Sequence, residues 1–233
     1  MKCIDFILKI VFPPRCLACD ISIIEGVLCQ TCFDGIPRYT TLFCARCGAR
    51  LPGKNSGAKK ICHRNTDYLL GSAGPYDDPT LKLLIHHLKF RSVKGAAKPL
   101  ANLLALYLGN IEIDPGEFIL IPLPLSRKRL NQRGFNQAEE IARCLAEHTP
   151  RKVRNDILVR SKNTKPQTET TSATERRQNI LGCFSVIKPE EVRHKDVIVL
   201  DDVTTSGATL GEAARVLKAA GARKIIGLTA ARA

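Results

Sequence analysis

Residues 197–210 read VIVLDDVTTSGATL. Val197, Ile198, Val199 and Leu200 are apolar and mostly β-branched, the composition of a parallel strand buried on both faces. Asp201 and Asp202 are expected to close that strand. Thr204, Thr205, Ser206, Gly207, Ala208 and Thr209 then supply hydroxyls, accessible amides and one flexible position, and Leu210 to Ala220 has the spacing of an amphipathic helix. The order strand, polar loop, helix builds an anion site, because the unpaired N–H groups and the positive dipole end of the helix start face outward. Two carboxylates beside an anion repel it unless they face ribose hydroxyls or a divalent cation, so the whole run points to a sugar phosphate. The plainer alternative is a buried strand and an ordinary turn in which Asp202 or Ser206 caps the next helix. It suffices for the acid pair alone and not for the full run.

No G-x-x-x-x-G-K-[ST] is present and no G-x-G-x-x-G follows a strand, so nucleotide-triphosphate and dinucleotide loops are poor fits. The 233 residues can hold one medium domain and a small one, and 44% hydrophobic composition is ample for a core. Thirty-six basic against 22 acidic residues leave a formal charge of +14, which favours phosphorylated or nucleic-acid partners through counterion release. No apolar run approaches the roughly 20 residues of a membrane helix, so no membrane span is expected. The opening MKCIDFILKIVF is predicted to form a short amphipathic helix with Phe6, Ile7, Ile10 and Val11 on one face.

The ten cysteines are arranged mainly as knuckles rather than scattered staples. Cys16-x-x-Cys19, Cys29-x-x-Cys32 and Cys44-x-x-Cys47 each set two thiolates near one metal, and two knuckles complete a tetrahedral zinc site. Redox-active pairs would explain one knuckle more easily than three. A structural role for Zn2+ in one or two sites, in a reducing cytoplasm, is therefore expected. The second site is incomplete by this pattern: after Cys44 and Cys47 come Cys62 and His63, and Asn65 stands where a fourth knuckle would need a cysteine. Either His63 replaces the thiolate or one site is weak or empty, and spacing leaves the pairing of knuckles open. Cys3, Cys144 and Cys183 read as core or surface thiols.

Residues 1–66 are thus expected to form the amphipathic helix and zinc region, and residues 67–233 a second domain. Within the first, KNSGAKK at Lys54 to Lys60 reads as a loop. In the second, Tyr68 to Tyr76 reads as a strand, and Asp77-Asp78-Pro79-Thr80 opens a helix with Leu81, Leu84, Ile85 and Leu88 inward. Lys89 and Arg91 at its end suit dipole compensation better than ligand contact. A second helix is expected near Ala96 to Leu108, then a buried strand from Phe118 that Pro122 and Pro124 force to turn. Arg127, Lys128 and Arg129 follow the turn, and the next helix is expected to begin near Asn136, because Gly134 is costly inside one. Leu158 to Arg160 and Phe184 to Ile187 read as strands flanking the polar run NTKPQTETTSAT, which is either a lid that excludes water from a reaction or plain surface loop. Arg223 to Thr229 supplies the last strand. Strands alternating with helices imply an α/β fold whose mostly parallel sheet is covered on both faces. Ligands bind such sheets at the carboxyl ends of the strands, where Asp201 and the turn at Pro122 to Ser126 can converge.

The run Val197 to Leu210 resembles the phosphoribosyl-pyrophosphate (PRPP) signature of type I phosphoribosyltransferases. With the cysteine knuckles, Leu88-Lys89-Phe90, PLPLSRKRLNQRGFNQ at Pro122 to Gln137, and the segment Arg160 to Phe184, nearly the whole chain resembles the ComF family, a zinc ribbon joined to such a domain. The resemblance implies that Asp201 and Asp202 hold ribose hydroxyls while Thr204 to Thr209 wrap the 5′-phosphate of PRPP, or of a related ribose phosphate, with Mg2+ accompanying it. It casts Pro124, Leu125, Ser126 and Arg127, with Arg129 and Arg133, as a pyrophosphate loop, and Arg160, Thr164, Gln167, Arg176 and Asn179 as the flexible loop. It implies a metal set of Cys16, Cys19, Cys29, Cys32, Cys44, Cys47, Cys62 and His63, with Asn65 a departure. Members are linked to natural competence, so incoming single-stranded DNA and DNA-uptake proteins become expected partners. No catalytic base and no base-stacking aromatic stands out, aromatic residues being 5% of the chain.

Overall fold

The computed structural model describes residues 13–52, 62–63, 66–111, 118–147, 153–161 and 180–233. The expected N-terminal helix, the Lys54 to Lys60 loop and the whole polar run Asn163 to Thr174 lie outside these residues. The first segment holds a short helix, α1 (Gln30–Asp34), and a two-residue strand, β1 (Phe43–Cys44). Then follow β2 (Leu69–Pro75), α2 (Pro79–Phe90), α3 (Ala97–Asn110), β3 (Phe118–Pro122), α4 (Arg127–Arg133), α5 (Gln137–Ala146), β4 (Leu158–Arg160), β5 (Phe184–Val186), β6 (Asp196–Thr204), α6 (Ala208–Ala219) and β7 (Lys224–Arg232).

Five strands form one sheet in the order β1-β2-β7-β6-β3, and every pairing except the antiparallel β1–β2 edge is parallel. The alternation of β6 assigns its side chains to two layers. Ile198 and Leu200 join Leu120, Ile226 and Leu228 under α2, α3 and α5. Val197 and Val199 join Ile121 and Ile225 under α6. Helices on both faces, the α/β architecture expected, follow from this double burial.

Local signals placed most elements. The Asp78 side chain accepts from the Leu81 amide and Pro79 begins α2, whose Leu81, Leu84, Ile85 and Leu88 are buried. Asn136 caps α5 by accepting from Ala138. Three expectations need correction. Residues 127–133 are not only a basic turn: Ser126 caps them as α4, and Gly134, at φ 74°, closes that helix in the left-handed conformation. Leu158 to Arg160 and Phe184 to Val186 do not enter the sheet. They pair antiparallel with each other and pack on the α6 side, while β3 pairs directly with β6 from Phe118↔Asp196 to Pro122↔Leu200. Finally, the acid pair does not end β6, which continues to Thr204 because β7 offers partners as far as Arg232.

The zinc region lies against the sheet. Tyr39 N–H donates to the Ala73 carbonyl at 2.8 Å, Tyr107 Oη donates to the Thr41 carbonyl at 2.8 Å, and Arg232 donates to the Gly48 carbonyl at 3.0 Å. The contact is close: a Cβ on Gly74 would fall 2.7 Å from the Pro37 carbonyl oxygen.

Candidate functional site

The chain leaves β3 toward α4 and α5 on one face of the sheet, and leaves β6 toward α6 on the other. Departures to opposite faces open a crevice at the carboxyl ends of the two neighbouring strands. A cleft of about 110 Å³ lies there, lined by Lys89, Pro124, Leu125, Arg129, Arg133, Asn136, Gln137, Arg160, Asp201, Asp202, Thr205 and Thr209 among others. Four cations and two carboxylates thus share one small space.

Strand alternation separates the two acids. Asp202 is buried at 4% exposure, and its carboxylate meets the Lys89 ammonium, from the last turn of α2, at 2.9 Å. Asp201 accepts the Asp202 amide at 2.9 Å. Burial, then the charge of Asp202, push Asp201 up to about 7, and Lys89 opposes the shift. Asp201 therefore holds a proton more readily than an ordinary carboxyl. Burial lowers Arg133 and Arg160 from the usual guanidinium value, and the charge of Asp201 works against it at both. The Arg133 guanidinium is held by Gln137 Oε1 at 2.7 Å.

A second concavity of about 30 Å³ adjoins the first and is walled by Asp201, Val203, Thr204, Thr205, Ser206, Gly207, Ala208, Thr209 and Leu210. Gly207, at φ 71°, caps α6 without a side chain to satisfy the first-turn amides. Its conformation and its space both require glycine, since a Cβ would fall 2.9 Å from Tyr68 Oη. That hydroxyl donates to the Gly207 carbonyl at 3.2 Å. A cup of amides and hydroxyls beside a helix start suits one phosphate, and the larger cationic cleft suits a more highly charged group.

The metal ligands form two sets. The ligand atoms of Cys16, Cys19, Cys29 and Cys32 lie within 4.8 Å of one another, as do those of Cys44, Cys47, Cys62 and His63. Cys19 Sγ lies 3.7 Å from Cys29 Sγ, Cys47 Sγ lies 3.6 Å from Cys62 Sγ, and Cys44 Sγ lies 3.4 Å from His63 Nδ1. A zinc–sulfur bond of about 2.3 Å separates tetrahedral ligands by about 3.8 Å, so both sets fit Zn2+. The pairing that spacing left open is resolved, and His63 takes the fourth position for which Asn65 was the wrong residue. Cys144 and Cys183 are buried thiols away from both sets; Cys3 lies outside the described residues.

Two family models match the chain, a double zinc ribbon domain over residues 7–65 and a phosphoribosyl transferase domain over residues 130–232. Competence protein F of Haemophilus influenzae is 31% identical over 91% of this chain and 93% of its own. The chain belongs to the ComF family. Other relatives are competence protein ComFC of Bacillus subtilis, 28% identical over 87% of this chain and 88% of that one, and DNA utilization protein YhgH of Escherichia coli O157:H7, 29% identical over 91% and 94%. This ComF-family chain combines a zinc ribbon, with cysteine sets suited to structural zinc, and a phosphoribosyltransferase fold. Among the described residues no helix is long and apolar enough to cross a membrane.

Of the residues the motifs single out, Pro124, Leu125, Arg129, Arg133, Arg160, Asp201, Asp202, Thr205 and Thr209 meet at the cleft, and Thr204, Ser206, Gly207 and Ala208 complete the cup. Ser126 is a helix cap, and Arg127 is exposed and does not line the cleft. Thr164, Gln167, Arg176 and Asn179 lie outside the described residues. Lys89 was read as a helix-end charge and instead reaches Asp202. Its place in Leu88-Lys89-Phe90 hinted at more, but no spacing rule links it to a carboxylate 113 positions later. Asn136 and Gln137 were likewise read only as part of a helix start.

Proposed function

We propose that the cleft and cup bind PRPP or a closely related ribose phosphate, and that the chain transfers the phosphoribosyl group to an acceptor in support of DNA uptake. The observation that carries this reading is the division of charge. Hydroxyl and amide donors gather at the cup, Asp201 lines both cup and cleft, and Asp202, Arg129, Arg133 and Arg160 line the cleft. A 5′-phosphate, a ribose and a diphosphate present the complementary groups in that order. Mg2+ would accompany the diphosphate, whose oxygens and water suit it, and would help to neutralise the leaving charge. The carboxylates would accept hydrogen bonds from the ribose hydroxyls and stabilise positive charge on the sugar as its bond to the diphosphate breaks. The three guanidiniums would stabilise the diphosphate that leaves. Such chemistry is mostly positioning and electrostatics, which is consistent with the lack of an evident catalytic base. A cytoplasmic setting, a lid role for the segment after Arg160, and a domain boundary near residue 66 belong to the same reading.

The net charge of +14 favours a second reading, in which the site senses PRPP without turnover while the basic surface binds single-stranded DNA or a partner protein. Calorimetric titration with Mg-PRPP and assay of pyrophosphate release separate the two. Asp201→Ala and Asp202→Ala are each expected to weaken PRPP binding at least about tenfold and to abolish release. Absence of release with any acceptor, together with salt-dependent single-strand binding that survives both substitutions, would sink the enzyme.

A further inference from the structure

The last turn of α2 carries two adjacent residues in opposite roles. Lys89 reaches inward to Asp202, whereas Phe90 is 64% exposed, the one aromatic among the exposed large apolar side chains of the described residues. Hydrophobic burial does not place it there, since Leu81, Leu84, Ile85 and Leu88 already supply the inner face of α2. The ring is nonetheless held. The Arg133 guanidinium, itself part of the cleft wall, lies 5.7 Å from its centroid, and the His86 ring lies 5.1 Å away at a 47° tilt. Phe90 therefore stands at the rim of the ribose-phosphate cleft as a braced aromatic surface with most of its area open.

The segments that carry Phe90 and Arg133 are themselves basic. Residues 79–111 contain no Asp or Glu, and neither do residues 118–138. The first stretch carries Lys82, Lys89, Arg91, Lys94 and Lys98, and the second carries Arg127, Lys128, Arg129 and Arg133. Lys89 and Lys94 meet carboxylates of other elements, Asp202 and Glu140, but Arg91, Arg127 and Lys128 are exposed. An open ring among exposed cations complements a flat, π-rich group attached to phosphates. A basic peptide would be repelled, and an acidic peptide would leave the ring without a stacking partner.

We propose that Phe90 is a stacking platform for an unpaired base of a single-stranded nucleic acid, whose backbone phosphates lie along the Arg91 and Arg127–Lys128 rim. This places a base at the mouth of the cleft. It deepens the nucleic-acid side of the function proposed above and does not require that PRPP be bound or consumed. Stacking on an aromatic ring is sequence-tolerant and contributes about 1–3 kcal/mol per base, whereas the cations contribute through counterion release and set the salt dependence.

The test is fluorescence anisotropy of a labelled oligo-dT with the full-length, zinc-loaded protein and its Phe90→Ala, Phe90→Leu, Phe90→Trp and Arg91→Ala variants. Because the side chain is exposed, all should fold, and their melting temperatures check this. Phe90→Ala and Phe90→Leu are expected to weaken binding by about 5- to 150-fold at unchanged salt slope, and Phe90→Trp to restore it. Arg91→Ala is expected to lower the salt slope by about one. Binding within twofold of wild type for Phe90→Leu, or equal affinity for duplex of the same length, would overturn the platform. So would Phe90-dependent binding of dTMP or a free base with none of the oligonucleotide, which would mark a small-molecule pocket instead. Calorimetry with Mg-PRPP on Phe90→Ala keeps the two proposals apart: unchanged PRPP binding with lost oligonucleotide binding supports the platform, and a wild-type protein that binds no PRPP defeats the cleft reading alone.

Discussion

Residues 13–52 bury six apolar or sulfur-bearing side chains, Cys16, Cys29, Ile36, Phe43, Cys44 and Leu51, and three of the six belong to the metal sets. The sheet, by contrast, is buried on both faces, with leucines such as Leu84, Leu88, Leu100 and Leu104 fully enclosed under α2 and α3. The two regions solve the same problem by different means. A segment of about forty residues cannot remove enough apolar surface from water to offset its conformational entropy, so ligation must organise it. The sheet can, and its surplus tolerates an unfavourable arrangement that the ribbon could not: two adjacent carboxylates in a partly enclosed cleft.

Three changes probe that contrast, in order of expected size. Cys29→Ser removes a buried ligand whose sulfur also accepts the Cys32 amide at the start of α1. Structural zinc contributes on the order of 10 kcal/mol to small metal domains, so the first set should lose its zinc and residues 13–52 should become protease-sensitive. Hydrogen exchange in β6 and β7 should stay slow. Concerted loss of ribbon and sheet would break the distinction between them.

Asp201→Asn tests the sheet's tolerated cost. Because folding raises this carboxyl to about 7, the native state holds a proton that the unfolded chain releases above a pKa of about 4. Asp201 therefore subtracts nothing at low pH, and its destabilisation grows through the interval from about 4 to 7 and is constant above it. The asparagine variant should be more stable than wild type by about 1–3 kcal/mol at pH 8 and by much less at pH 4. Melting curves at the two pH values check this; a gain that is equal at both would show that charge is not the cause.

Arg232→Ala acts at the junction and should have the smallest effect. The guanidinium lies 4.6 Å from the Phe43 ring centroid and donates to the Gly48 carbonyl, beside the second metal set, while its backbone pairs with Thr204 at the start of the cup. Loss of these contacts, worth about 1 kcal/mol, should release zinc from the second set about fivefold faster to a chelator and leave the first set unchanged. Equal acceleration at both sets would mean that the ribbon responds as one body.

Local chemistry was legible along the chain. Pro79 after Asp78, Asn136 before α5 and the leucine spacing of α2 and α3 could be read because caps and periodicity act within a few residues. The phosphate cup was legible for the same reason, being one contiguous loop from Thr204 to Thr209. Continuation of β6 past the acids was not, since the β7 partners that extend it lie about thirty residues on. α4 was obscured by a basic run with no buried residue to give it a period.

The strand, loop and helix of the cup, the three cysteine knuckles and the α/β order could be read along the chain, because each depends on neighbours or on strict spacing. Tertiary packing set which knuckles share a metal, that His63 completes the second set, that Lys89 meets Asp202, and that Arg133 lies against an exposed Phe90. Those pairings join residues 19, 113 and 43 positions apart, and their distances are set by how the helices pack on the sheet and the ribbon closes on itself. The same packing gave VIVLDDVTTSGATL its electrostatics: alternation along β6 sends one carboxylate to a lysine and raises the proton affinity of its neighbour.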